Sequence, residues 1–299
     1  MNPFTGDLPA WSALDQRALA RWLSEIETRT PAGCAASAAL QRQEWPGVNI
    51  GITGPPGCGK STLVGALARE WLRRGESVAV LAIDPSSVRH GGALLGDRVR
   101  MMDGTLDERV FVRSLATRGE AGGVVVAAAD LARLLRAAGY RRVLIETVGV
   151  GQSELAVAAQ ADLTLVVQAP GGGDEVQAMK HGILEVADVL VVNKADRPEA
   201  GRLAEHLARW TGLPAERICR TNALSGDGVA SLIDLVERSA GTRGEPRRHD
   251  EIRAIAIAML TREVDRQLRD HPLDESDTWT AAEQVVAALR RKSPREENS

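Results

Sequence analysis

The stretch GITGPPGCGKSTLVGALARE, residues 51–70, decides how the rest of the chain is read. Within it Gly54–Ser61 fits the pattern G-x-x-x-x-G-K-[ST], follows the strand-like run VNIGIT and opens a helical run. Glycines in such a turn let successive backbone N–H groups converge on a phosphate at a helix N-terminus, where the dipole favours an anion. Gly57, Cys58, Gly59, Lys60, Ser61 and Thr62 are therefore the candidate phosphate cradle. Lys60 is expected to bridge the β- and γ-phosphates, and the Ser61 hydroxyl to take one position on Mg²⁺. Cys58 lends its backbone to the loop, with its thiol as a small filler.

Outward from this loop, short apolar runs alternate with helical stretches. The runs are VNIGIT, SVAVLAID, RVFVRSLA, RVLIETVG, DLTLVVQAP, DVLVVNKAD and the poorer RICRTNA. Several are apolar at consecutive positions, as strands covered on both faces are. The pattern predicts an α/β P-loop NTPase with a mostly parallel sheet and crossover helices. LVGALAREWLRRG and VVVAAADLARLLRAAG carry helical periodicity and stop at Gly75 and Gly139. Ahead of the loop, Leu14, Ala18, Trp22 and Ile26 predict one amphipathic lead-in helix from Ser12 to Thr30, ended by TRTPAG. Beyond Gly241, the polar TRGEPRR links to helices expected near 250–269 and 280–290. The organisation read from this is a helical extension (1–46), a G domain (47–241) and a C-terminal helical arm (242–299).

A second motif selects the base. NKAD, Asn193 to Asp196, ends an apolar run downstream of the glycine loop. In an N-K-x-D box the Asp carboxylate accepts from guanine N1–H and the 2-amino group. Adenine would leave that carboxylate unpaired, so the box selects GTP over ATP. Lys194 is expected to lie over the ring and Asn193 to tie the box to the phosphate loop. TNALSGDG, from Thr221, supplies Asn222, Ala223 and Leu224 as further base contacts, with the Ala223 N–H offered to guanine O6.

The third motif, ETVGVGQSE from Glu146, has the form of a D-x-x-G switch with Glu for Asp. Glu146 is expected near Mg²⁺ and the Gly149 N–H at the γ-phosphate. Val150 follows Gly149, so no water-orienting Gln stands there, and Gln152 would have to reach back. Slow intrinsic hydrolysis is the consequence. Asp84 ends a strand run and Asp97 lies in the long segment after it, both as candidate Mg²⁺-side acids; Arg89, Arg98 and Arg100 read either as an internal finger or as a solvated loop.

Composition narrows the classes further. The chain has 299 residues, 37 Lys+Arg against 40 Asp+Glu, and a net charge of −3, a balance unlike that of proteins built to bind nucleic acid or anionic membrane. Only 3% of residues are aromatic, too few for single-strand stacking platforms. No apolar run approaches the ~18 residues of a membrane helix. Three separated cysteines form neither a disulfide framework nor a metal motif, so a cytoplasmic, reducing setting is expected.

PGCGKST, AIDPSS, GGALLGDRVRM, RSLATRG, IETVGVGQSE, PGGGDEVQAMKHGILEVAD and VVNKAD together resemble one family. It is that of the G-protein chaperones of adenosylcobalamin-dependent mutases, known as MeaB in bacteria and MMAA in humans. The resemblance covers nearly the whole chain. It implies a SIMIBI-type G domain, GTP hydrolysis, a homodimer, and gating of cofactor loading or exchange on an acyl-CoA mutase. By position it implies Lys60 and Ser61 as phosphate and Mg²⁺ ligands and Asp84, Asp97 and Glu146 as the acids around the metal. It further implies that 171–182 is a partner-sensing switch acting through Asp174, Glu175, Gln177 and Lys180. The chain departs from the family's usual residues at Cys58, Ala93, Leu94, Val99 and His181. The expected client is therefore methylmalonyl-CoA mutase or a related isobutyryl- or hydroxyisobutyryl-CoA mutase. The alternative is a metallochaperone GTPase of the same superclass, which would need a Cys or His cluster near its switches. No D-x-H-x-x-G cobalamin pattern occurs, so no cobalamin site of its own is expected.

Overall fold

A computed structural model describes residues 8–84, 107–116, 121–147, 161–171, 183–240 and 264. Seven strands of these residues form one sheet: β1 (Val48–Thr53), β2 (Val78–Asp84), β3 (Val110–Ala116), β4 (Arg142–Thr147), β5 (Leu163–Gln168), β6 (Val189–Val192) and β7 (Ile218–Arg220). Their order is β3-β2-β4-β1-β5-β6-β7, and every pairing is parallel. The apolar runs became strands because both faces are covered; β5 and β6 are buried at every position. Six α-helices do the covering among the described residues: α1 (Gln16–Glu27), α2 (Pro31–Leu40), α3 (Lys60–Arg73), α4 (Ala121–Ala137), α5 (Ala200–Thr211) and α6 (Val229–Ala240).

Strand alternation sends side chains to separate cores. Ile50, Ile52, Leu144 and Leu165 meet Leu63, Leu67 and Trp71 of α3 and Leu232, Ile233 and Val236 of α6. Val143, Ile145, Leu81 and Ile83 face the opposite way, onto Leu131, Leu134 and Leu135 of α4, with α1 and α2 stacked outside. Leu203 and Leu207 of α5 close a third cluster over Leu190 and Val192.

The N-terminal region differs from the single helix expected over Ser12 to Thr30. A 3-10 turn, Trp11–Ala13, precedes α1, whose N-cap Asp15 accepts from the Ala18 N–H at 2.6 Å. TRTPAG then both ends one helix and begins another. Thr30 caps α2 by accepting from the Gly33 N–H at 3.0 Å, and Pro31 occupies the first turn, where its missing N–H costs nothing. The two helices approach so closely that a Cβ on Gly33 would stand 2.0 Å from the Glu25 carbonyl oxygen. Among the described residues no helix is long and apolar enough to cross a membrane.

The topology places the site. From β1 the chain first builds β2, β3 and β4 on one side and then β5, β6 and β7 on the other. At such a reversal the loops leaving neighbouring strands part, opening a crevice at their carboxyl ends. Gly54, Asp84, Gln168, Asn193 and Thr221 end or follow strands on that edge, and Glu146 is the penultimate residue of β4.

Candidate functional site

The glycine loop leaves β1 under tight constraint. Gly54, at φ +141°, has no room for a side chain, because a Cβ would lie 2.1 Å from the Val167 carbonyl oxygen of β5. Gly59, at φ +96°, is the N-cap of α3, and no side chain caps that helix. The first turn therefore keeps backbone donors for an incoming anion, at the positive end of the helix dipole. A Cβ on Gly59 would fall 2.4 Å from the Asn193 Nδ2, so the close approach of the two loops demands glycine.

Lys60 is buried, and its ammonium donates to the carbonyls of Gly54 at 2.7 Å and Pro55 at 3.0 Å. The cation is thus held inside the loop by its own backbone. Beside it, the Ser61 hydroxyl donates to Glu146 Oε1 at 2.6 Å, although the two residues lie 85 positions apart. Glu146 reaches this point because β4 runs between β2 and β1, in register with Ala82 and Ile52. A hydroxyl and a buried carboxylate, both oxygen donors, fit the preference of Mg²⁺ for hard oxygen ligands. Asp84 closes the neighbouring strand β2. Asp97, Gly149, Asp174, Glu175, Gln177 and Lys180 lie outside the described residues, as do Arg89, Arg98, Arg100, Gln152 and the arm from 242 onward except residue 264.

The base-box strand joins this loop directly. The buried Asn193 amide donates to the Cys58 carbonyl at 3.0 Å, while its Oδ1 accepts from Thr221 Oγ1 at 3.2 Å and the Ala223 N–H at 3.1 Å. Lys194 adopts φ +58° and sends its ammonium to the Gly57 carbonyl at 2.7 Å. One short segment therefore grips the phosphate loop twice. Asp196 stands exposed at the turn, and Arg197 donates from that turn to the Pro170 carbonyl at 3.0 Å.

Ala223, expected to offer its N–H to guanine O6, sits directly beside the base-box residue Asn193. Its N–H is buried and engaged by Asn193 Oδ1, since a buried amide oxygen must be matched by donors. The Leu224 N–H is likewise engaged, by Asn222 Oδ1 at 3.1 Å, in a local side-chain turn. The Leu224 side chain is 85% exposed, an unusual position for an apolar group beside a crevice. Thr221 was not among the expected site residues; its only sequence signal is its place one residue before Asn222 in TNALSGDG.

Burial pushes the Cys58 thiol upward, with Lys60 and Lys194 partly offsetting it. It packs in the core against the sheet, while its backbone carbonyl serves the loop. A cavity of about 1030 Å³ lies elsewhere, beside β3 between α1 and α3, and its lining includes the ion pair of Arg109 with Asp107.

The family "Methylmalonyl Co-A mutase-associated GTPase MeaB" matches residues 19–275. The chain belongs to the MeaB family. It is a P-loop GTPase and binds GTP and GDP. Among relatives, a Pyrococcus horikoshii protein named as a GTPase is 40% identical over 239 residues, covering 74% of this chain and 75% of that protein. The mouse protein "Methylmalonic aciduria type A homolog, mitochondrial" is 39% identical over 197 residues, covering 62% of this chain and 48% of its own length. A solved structure described as a LAO/AO transport system kinase shares the fold, with TM-score 0.65, 23% identity, and coverage of 92% of this MeaB-family chain and 93% of its own.

Proposed function

We propose that this MeaB-family GTPase is the chaperone of an adenosylcobalamin-dependent acyl-CoA mutase, using GTP binding and hydrolysis to gate loading or exchange of the mutase's cofactor. The observation that carries the nucleotide half of this reading is the Asn193 bridge, which holds the base box against the phosphate loop. The family's mutase-associated description supports the client. That client is methylmalonyl-CoA mutase or a related isobutyryl- or hydroxyisobutyryl-CoA enzyme.

In this reading the backbone of Gly57 to Thr62 cradles the phosphates. Lys60 releases the carbonyls of Gly54 and Pro55 and turns its ammonium to the β- and γ-phosphate oxygens, where charge builds in the transition state. Ser61 and Glu146 hold Mg²⁺, with Asp84 and Asp97 as the further acids. Mg²⁺ neutralises phosphate charge when bound. Asp196 accepts from the guanine edge, while the Lys194 stem and the exposed Leu224 flank the ring. Gly149 meets the γ-phosphate, and Asp174, Glu175, Gln177 and Lys180 sense the mutase. Val150 at the position after Gly149 makes unassisted turnover slow. The 242–299 arm joins two copies into a homodimer. Three free thiols support a reducing compartment, the cytoplasm.

The test is steady-state GTP hydrolysis by the purified protein, alone and titrated with acyl-CoA mutases of each substrate class. Stimulation by one mutase is the expected result and names the client. A slow rate that none of them changes would overturn the chaperone reading.

A further inference from the structure

Glu146 and Ser61 stand on elements whose separation must be fixed for their oxygens to meet at 2.6 Å. The backbone ladder between β1 and β4 runs from Val48↔Arg142 to Ile52↔Glu146 and ends there. Just past its end, Thr147 Oγ1 donates to Thr53 Oγ1 at 3.1 Å. Both side chains are fully shielded, at 0% and 1% exposure. Thr147 lies on the opposite face of β4 from Glu146, on the side of Val143 and Ile145. A valine in either place would have the same shape, so packing alone does not require two hydroxyls there.

We propose that Thr53 and Thr147 are positioning residues: their hydroxyl bond clamps the ends of β1 and β4 and so sets the Ser61–Glu146 spacing that receives Mg²⁺. The inference rests on the reading that Ser61 and Glu146 hold the metal. The clamp touches neither nucleotide nor metal. It acts through the strand ends, from the far face of the sheet.

The experiment follows release of fluorescent mant-GDP against Mg²⁺ concentration, with melting temperature and mant-GDP affinity in EDTA measured alongside. A single Thr147→Val leaves the Thr53 hydroxyl buried without its donor, so the main variant is the double Thr53→Val/Thr147→Val, which removes both partners at constant shape. The double variant is expected to melt near wild type and bind mant-GDP normally in EDTA. Its Mg²⁺ midpoint is expected to rise about three- to tenfold, as loss of one hydrogen bond allows. Thr147→Ser keeps the hydroxyl and is expected to keep the wild-type midpoint. A wild-type midpoint in the double variant would overturn the clamp, and so would a midpoint shifted equally in Thr147→Ser. A fall in melting temperature and in EDTA affinity with no change in midpoint would show an ordinary core contact and also overturn it. If Mg²⁺ fails to slow release even from wild type, the metal reading itself falls, and the clamp with it.

Discussion

Lys60 is a cation at 6% exposure that is nevertheless satisfied, by two carbonyls of its own loop. Removing the ammonium removes the charge proposed to face the phosphates, so Lys60→Ala is expected to abolish measurable GTP turnover in a phosphate-release assay. Asp196 is exposed and free of packing duties, so Asp196→Asn is expected to fold normally. Its preference for guanine over adenine nucleotides should fall by at least about tenfold in competition binding, because the carboxylate no longer matches the guanine edge. Unchanged selectivity would remove Asp196 from the base site. The thiols give a third expectation. Burial pushes Cys219 up to about 11 from 9.0 and also raises Cys58, whereas Cys34 is exposed. Only the thiolate reacts, so at pH 8 Ellman's reagent should titrate Cys34 promptly in the folded chain, and all three thiols in guanidinium. The half-buried Cys219 therefore supports the fold fully below about pH 9, and that contribution is lost as pH rises through about 11.

At the scale of elements, the alternation of apolar runs and helical stretches was legible because both-face burial leaves a strong mark in sequence. All seven runs appear as strands, and Gly75 and Gly139, at φ +86° and +99°, sit where the expected helices stop. The helix α2 was not legible as such, since PAGCAASAAL lacks an alternating polar face and its start signal, Thr30-Pro31, serves also as the end of α1. Replacing that cap tests how much it matters. Thr30→Ala is expected to lower stability by about 1 kcal/mol in urea melts, with GTP turnover unchanged. The motifs single out the loop, the acid at Glu146 and the box at Asn193 as candidates. They did not identify the partners that hold these in place. Thr221 with Asn193 and Thr53 with Thr147 are contacts across 28 and 94 positions, which no local pattern encodes.

For the whole molecule, the sheet divides the work at β1. One half carries the acid at the end of β4, and the other carries the base box after β6 and its support after β7. In the proposed arrangement a guanine nucleotide bridges both halves, whereas adenine leaves the base box unmatched. GDP at a hundredfold excess over its Kd is therefore expected to stabilise the fold by about 2.7 kcal/mol, read as a rise in melting temperature. ADP at the same concentration is expected to give no comparable rise. The bond from Asn193 to the Cys58 carbonyl spans 135 positions. A ribosome adds about 5–20 residues per second, so the phosphate loop exists for roughly 7–27 s before the residue that braces it has been made. The nascent chain spends that interval with a recognisable phosphate motif and no finished guanine site, and only later acquires its selectivity.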